Sequence, residues 1–176
     1  SDFWYDKVYS RVWNTFNVDY RTIDDKWIDT MAKTDMQIEV DVYAESLYEK
    51  LQAYVKDMKK NKTIVECDRV VIDPSFVYYG NFSYYIRCYV HYRIVSTKTK
   101  AKYTVDELLL GPNKSPYNSI LFSRTGLVDL TGHKLGEWVD GIFDVAVASA
   151  INSAKPETYG VSFTEWSVKK AVPYER

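Results

Sequence analysis

Glycine and proline are missing from the start of this sequence of 176 residues: no glycine precedes Gly80 and no proline precedes Pro74. Because both residues interrupt helices and mark turns, the first third of the chain can form long helices. Six of the seven glycines lie at residues 111–160, where turns must be frequent. The pattern predicts an α+β fold with three N-terminal helices packed on a curved antiparallel sheet. We expect one domain over residues 1–176, with a helical part at 1–61 and a sheet part at 62–176.

An excess of charge and a long apolar run are missing as well. Lysine and arginine number 23 against 24 acidic residues, a net charge of -1, which disfavours a nucleic-acid partner whose phosphates must be neutralised. The apolar runs are far shorter than the roughly 20 residues that span a bilayer, and no signal-peptide pattern is present. The chain opens at Ser1 without a start methionine. We therefore expect an extracytoplasmic protein, either secreted or the soluble part of a longer, membrane-anchored chain.

The side chains that most often perform catalysis or bind metals are scarce. His91 and His133 have no second histidine or cysteine at metal-ligand spacing, so no metal site is predicted. Cys67 and Cys88 fall on the predicted inward faces of two strands, where a thiol is a poor nucleophile. A disulfide between them and two reduced core thiols both stay open. No Gly-x-Ser-x-Gly elbow or glycine-rich phosphate loop is present, so we predict no catalytic residue, no cofactor and a non-enzymatic function.

Apolar residues at helical spacing predict three helices in the first third of the chain. The first covers residues 2–16. Thr22, with Asp25 three residues later, resembles a capping box and predicts a short second helix that ends at Met31. The third runs from Thr34 to Lys60, with acidic residues in its first half and lysines at its end, as the helix dipole favours. Its predicted buried stripe comprises Met36, Val40, Tyr43, Ala44, Leu47, Leu51, Tyr54, Val55 and Met58.

From residue 63 the apolar period changes from 3.6 to 2, which predicts strands. The alternation is clearest over 82–95, after a turn predicted at Gly80-Asn81. Its inward side chains are Phe82, Tyr84, Ile86, Cys88, Val90, Tyr92 and Ile94. Its outward side chains are Tyr85, Arg87, Tyr89, His91 and Arg93. We predict these five as an interaction site for a protein partner or for self-association, because tyrosine and arginine are enriched among interface hot spots. Further strands are predicted at 63–72, 103–110, 119–123, 127–130, 142–148 and 159–168.

Aromatic residues are abundant and make up 16% of the chain, with 16 tyrosines. Tyrosine joins an apolar ring to a polar tip and suits half-exposed sheets, clefts and interfaces. Trp138, Tyr159 and Trp166 offer an alternative function, since exposed rings at these positions could stack against a carbohydrate. The aspartates near the predicted loops, Asp144 among them, lack the spacing of a calcium loop and are expected to be ordinary surface or turn residues.

The order of elements resembles the cone-shaped NTF2-like superfamily, and within it the periplasmic domains of VirB8-type components of conjugation and type IV secretion systems. The resembling stretch runs from Asp2 to about Leu110: Phe3-Trp4-Tyr5 begins a helix, and Thr34 to Lys60 forms the long one. After Gly111 the chain departs from that pattern, with a β extension of about sixty residues. The resemblance implies a non-catalytic assembly role beside a membrane, with a tether outside this sequence. An enzyme with its pocket inside an NTF2-like cone is a third alternative.

Overall fold

A computed structural model of the protein describes residues 2–80, 83–98 and 135–173, with side chains over 4–80, 83–98 and 135–162. Three helices pack against a curled antiparallel sheet of five strands that forms a half-barrel, which confirms the predicted α+β class. The α-helices are α1 (Asp2–Thr15), α2 (Asp25–Thr34) and α3 (Asp41–Asn61). The strands are β1 (Val18–Asp19), β2 (Ile64–Gly80), β3 (Ser83–Ser96), β4 (Trp138–Ser149) and β5 (Tyr159–Pro173). The strands predicted at 103–110, 119–123 and 127–130 lie outside the described residues.

Helix α1 forms where its apolar spacing predicted it and packs on the sheet. Val8, Val12 and Phe16 are fully buried in a core shared with β2, β3, β4 and β5. The Phe16 ring lies 4.8 Å from the ring of Tyr92 and 5.2 Å from that of Phe143, centre to centre. This helix therefore supplies the apolar layer that covers the inner face of the sheet.

Helix α2 begins differently from the prediction. Its N-cap is Asp24, whose carboxylate accepts hydrogen bonds from the backbone N–H groups of Lys26 and Trp27 at 3.1 and 3.2 Å. Thr22 instead donates its hydroxyl to the carbonyl of Asp19 at 3.5 Å, so the predicted capping box is wrong. An aspartate immediately before the first helical turn satisfies two N–H groups by itself and needs no partner three residues later.

The predicted third helix is divided in two. Asp35 adopts an extended backbone and caps a short 3₁₀-helix, Met36–Glu39, before α3 begins at Asp41. Only the later half of the predicted stripe is buried: Leu47, Leu51, Tyr54, Val55 and Met58. Tyr43 is 50% exposed. The buried half packs in a second core formed by α2, α3 and β1, and not in the core on the sheet.

A fully buried ion pair joins the helices. Arg11 Nη2 lies 3.3 Å from Asp35 Oδ2, and both side chains are inaccessible to solvent. Arg11 Nη1 also donates to the Thr34 hydroxyl at 3.1 Å. Burial lowers the pKa of Arg11 and raises that of Asp35, and their mutual attraction opposes both shifts. Asp35 also forms an isolated parallel bridge with Val161 of β5, so this pair connects α1, the end of α2 and the edge of the sheet.

Neighbouring strands of the sheet are consecutive in the chain, in the order β1-β2-β3-β4-β5. The β2–β3 hairpin pairs Gly80 with Ser83, and the rest of the turn lies outside the described residues. Pro74 does not end the strand before it: β2 continues through a bulge between Asp73 and Val77. Among the described residues, β2 has a partner on its other side only at Ile64 and Val65, and a proline is tolerated on such an edge.

The alternation predicted for β3 holds over most of its length. Ile86, Cys88, Val90, Tyr92 and Ile94 are buried against α1 and the neighbouring strands. Tyr84 is an exception, because it lies near the end of the hairpin, beyond this core, and is 43% exposed.

The two cysteines, Cys67 and Cys88, are buried and free. Cys67 pairs across the ladder with Tyr92, and four residues of strand place Cys88 roughly 13 Å away. A disulfide requires Cα atoms within about 7 Å. The structure therefore decides between the two alternatives in favour of separate thiols.

Candidate functional site

The five predicted interaction residues lie in one row on the face of β3 that points away from α1. Alternate residues of a strand share a face at a spacing of roughly 6.7 Å. Neighbouring strands add further side chains through the register, which places Arg93 beside Trp138 and Tyr85 beside Tyr78. We call this surface the outer patch. Its members are Phe76, Tyr78, Tyr85, Arg87, Tyr89, His91, Arg93 and Trp138.

A buried carboxylate holds one end of the outer patch. Arg87 binds Asp144 through two bonds, Nε to Oδ1 at 2.9 Å and Nη2 to Oδ2 at 3.2 Å. The hydroxyl of Tyr78 donates to Asp144 Oδ2 at 2.5 Å. Desolvation, together with the bond to this carboxylate and its charge, raises the pKa of Tyr78. The Asp144 side chain is completely buried. A fork of two bonds fixes the plane of a guanidinium as well as its position, so Arg87 is rigidly placed.

The bulge in β2 completes this arrangement. Asp73 pairs with Arg87 and Val77 with Ile86, which leaves three residues of β2 without partners in the ladder. Asp73 steadies the bulge by accepting bonds from the backbone N–H and the hydroxyl of Ser75, at 3.0 and 2.6 Å. The bulge places the Phe76 ring 3.7 Å from the guanidinium carbon of Arg87. An arginine stacked on an aromatic face gains cation–π attraction in addition to its ion pair.

The other end of the outer patch is a stack around Trp138. The rings of His91 and Trp138 are parallel within 5° and 4.6 Å apart. The guanidinium of Arg93 lies 4.7 Å from the centre of the Trp138 ring. His91 Nδ1 is 2.6 Å from Asp68 Oδ1, and Arg93 Nε donates to Glu66 Oε1. Carboxylates of β2 therefore hold the side chains of both His91 and Arg93 against the tryptophan.

The exposed fraction of the side chains differs along the outer row of β3. Tyr89, in the middle, is 38% exposed beside Val71 at 37%. Tyr85 is only 9% exposed, because the Tyr78 ring covers it in a stack with centres 5.1 Å apart. At the Tyr85 end, Phe76 and Tyr78 therefore provide the accessible aromatic surface.

The positive and negative charges in the outer patch and at its border are close to balanced. Arg87, His91 and Arg93 each have a carboxylate partner within the patch or at its border. The bond to Asp144 raises the pKa of Arg87. The predicted interaction face is therefore an aromatic surface whose arginines are already paired.

Two residues of the second predicted set of ring side chains, Trp138 and Tyr159, lie at opposite ends of one strand. Trp138 begins β4, whereas Tyr159 pairs with Ser149 at the other end of that strand, which separates them by roughly 35 Å. The side chain of Trp166 lies outside the described residues. Trp138 belongs to the outer patch, and Tyr159 belongs to a separate pocket.

Sequence reasoning missed Asp144, which was expected to be a surface or turn residue. Its position gave a usable signal: it lies between Phe143 and Val145 in an apolar strand, and a carboxylate there requires a buried partner. Phe76 and Tyr78 carried no comparable signal, because their placement depends on the bulge.

The described residues contain no cluster of three or more side chains suited to a metal ion. Cys67 has its pKa raised to about 12 by burial, and burial also raises that of Cys88. Both thiols face the core that contains α1, whereas His91 lies on the opposite face of the sheet. His133 lies outside the described residues. None of the described helices is both long enough and apolar enough to cross a membrane.

Comparison of the chain with protein-family models, with curated protein sequences and with solved structures returns no significant match.

Proposed function

We propose that this protein is a non-catalytic binding or assembly domain that contacts a partner protein, or a second copy of itself, through the outer patch. One observation carries the proposal: aromatic and guanidinium side chains are held in fixed positions by ion pairs while part of their surface stays exposed. A surface ordered in advance loses little side-chain entropy on binding. Its cations are already paired, so a partner can bury the rings without neutralising an isolated charge.

We further propose an extracytoplasmic location and a role in a conjugation or secretion apparatus. The support is the resemblance to VirB8-type domains, which rests on the order of elements: three helices, the last of them long, followed by a curled antiparallel sheet. In this proposal a membrane anchor outside the present sequence places the domain beside the membrane.

The first test is site-specific photo-crosslinking in the cells from which the protein originates. A benzophenone amino acid replaces Tyr89 in one variant and Tyr43 in the other. Both are exposed tyrosines, at 38% and 50%, but Tyr43 lies on α3 and outside the patch. We expect position 89 to give a discrete adduct, either a covalent dimer or a complex with one protein, and position 43 to give none.

The second test separates binding from folding. The double variant Tyr89→Ala/Arg93→Ala should unfold within about 1 kcal/mol of the parent, because it removes an exposed ring and one exposed ion pair. In the background carrying the crosslinker at position 89, Trp138→Ala should reduce the adduct about tenfold, as loss of an interface anchor does. Equal adducts at positions 89 and 43, or an adduct that survives Trp138→Ala unchanged, would contradict the proposed function.

A further inference from the structure

A pocket lies where the β2–β3 hairpin meets the connection between β4 and β5, well away from Trp138. Its volume is about 250 Å³. The side chains that line it are Tyr79, Tyr84, Ser149, Asn152, Ser153 and Tyr159. Ligand pockets for larger molecules measure about 300–1,000 Å³, so this one suits a single small ring.

The three tyrosines form one wall of the pocket. The ring of Tyr84 lies 5.0 Å from that of Tyr79 and 6.2 Å from that of Tyr159, with both pairs tilted by 58°. Tyr79 is 63% exposed, which leaves much of its ring accessible to a ligand. Each tyrosine also carries a hydroxyl that can donate and accept a hydrogen bond.

The remaining side chains of the lining are polar, and hydrogen bonds hold the connection that carries them. The hydroxyl of Ser149 lies 3.0 Å from that of Thr158 and accepts the backbone N–H of Ser153 at 3.4 Å. From α1, Lys7 donates to the carbonyl of Tyr159 at 2.7 Å. Asn152 is exposed at the tip of this connection, in the left-handed backbone region with φ 49°. The connection is therefore ordered before any ligand arrives.

The chemistry of the lining selects a class of ligand. The side chains that line the pocket carry no formal charge, and the Lys7 ammonium beside it already donates to the carbonyls of Glu157 and Tyr159, so the lining itself favours a neutral ligand over a phosphate or carboxylate. Hydroxyl and amide groups would lose their solvation without compensation against a purely apolar ligand. A pyranose ring satisfies both the aromatic and the polar side chains, because its C–H face can lie on a tyrosine while its hydroxyls bond to the serines and the asparagine.

We propose that this pocket binds one neutral pyranose ring of a glycan. The site is separate from the outer patch and goes beyond the proposed function, since either surface can act without the other. Of the residues predicted for the glycan alternative, Tyr159 lines this pocket, Trp138 belongs to the outer patch, and the side chain of Trp166 lies outside the described residues.

The test is amide NMR of the full 176-residue chain, titrated to tens of millimolar with the methyl pyranosides of glucose, galactose, mannose and N-acetylglucosamine. We expect at least one sugar to shift the amides of Ser149, Asn152 and Ser153 in a saturable way. Tyr84→Ala and Asn152→Gly should each weaken that binding about tenfold. Asn152→Gly is the cleaner variant, because glycine adopts positive φ readily and only the amide is lost.

The matched control is Tyr89→Ala/Arg93→Ala, which alters the outer patch and should bind the sugar like the parent. This separates a failure of the glycan site from a failure of the proposed protein contact. A flat response to all four sugars overturns the proposal, as does a response centred on Trp138. Unchanged sugar affinity in Asn152→Gly overturns it too. Binding of a proline-rich peptide at these amides, without any sugar response, would assign the pocket to a protein ligand instead.

Discussion

At the scale of single residues, the pair of Arg11 and Asp35 has the largest expected effect on folding. Removing one member of a buried ion pair leaves the other charged and without compensation, whereas an exposed pair contributes little. The protein contains a pair of each kind. Arg21 and Asp19 form the exposed ion pair, with side chains 63% and 27% exposed.

We predict that Asp35→Asn lowers the free energy of unfolding by about 3–5 kcal/mol, because it removes the counter-charge of buried Arg11. Asp19→Asn, which breaks the exposed pair, should cost about 0–1 kcal/mol. Urea denaturation with a common slope measures both changes. A loss for Asp35→Asn no larger than that for Asp19→Asn would show that Arg11 does not depend on this carboxylate.

Residue-scale features were the least predictable from the sequence. Period-2 spacing placed Arg87 and Tyr89 correctly on the outer face, because parity along a strand is a local property. The alternation along β3 could not show that Tyr85 is covered by Tyr78, because Tyr78 belongs to another strand. It also could not reveal Asp144 as the partner of Arg87, since that contact requires the register between β3 and β4.

At the scale of elements, the start of α2 separates two capping schemes that look alike in sequence. The pattern of Thr22 and Asp25 fits a capping box, but the observed cap is Asp24. We predict that Asp24→Ala destabilises the protein by about 1 kcal/mol, the usual effect of losing an N-cap.

Thr22→Ala is the matched control for that variant and should change stability by no more than about 0.5 kcal/mol. Thermal unfolding followed by circular dichroism measures both variants. A larger loss for Thr22→Ala than for Asp24→Ala would restore the capping box as the signal that starts the helix.

Elements themselves were predictable wherever one apolar period persists. The apolar spacing of α1 persists beyond a single helical turn, and the alternation of β3 persists beyond a single pair of residues. Both predictions are confirmed. The prediction of the third helix was wrong at its start. Asp35 caps the 3₁₀-helix and pairs with Arg11 instead of continuing the helix. The strand predicted at 63–72 extends further, to Gly80, because on an edge strand proline interrupts the ladder without ending the strand.

At the scale of the whole molecule, buried acidic groups of high pKa set the response to alkaline solution. Burial raises the pKa of Tyr54, Tyr92, Cys67 and Cys88. Their ordinary values are 10.0 for the phenols and 9.0 for the thiols. A group whose pKa is higher in the folded state stabilises the fold fully below its unfolded value, and that stabilisation is lost as pH rises further.

We therefore predict that the free energy of unfolding falls steadily once the pH exceeds about 9. Urea midpoints measured across the alkaline range test this, with tyrosinate absorbance reporting ionisation of the buried phenols on unfolding. Tyr54→Phe should make the decline shallower, because one shifted group is removed. Stability that stays constant or rises in this range would contradict the burial of these groups.

The placement of α1 has a consequence for biosynthesis. This helix precedes β4 and β5 in the chain, yet its apolar stripe is covered by them, and Lys7 bonds to the carbonyl of Glu157, 150 residues later. At synthesis rates of roughly 5–20 residues per second, those strands leave the ribosome roughly 10–30 s after the helix. During that interval Val8, Val12 and Phe16 have only the β2 and β3 part of the sheet to cover them. The apolar stripe of α1 should therefore be a binding site for a holding chaperone until β4 and β5 have been synthesised.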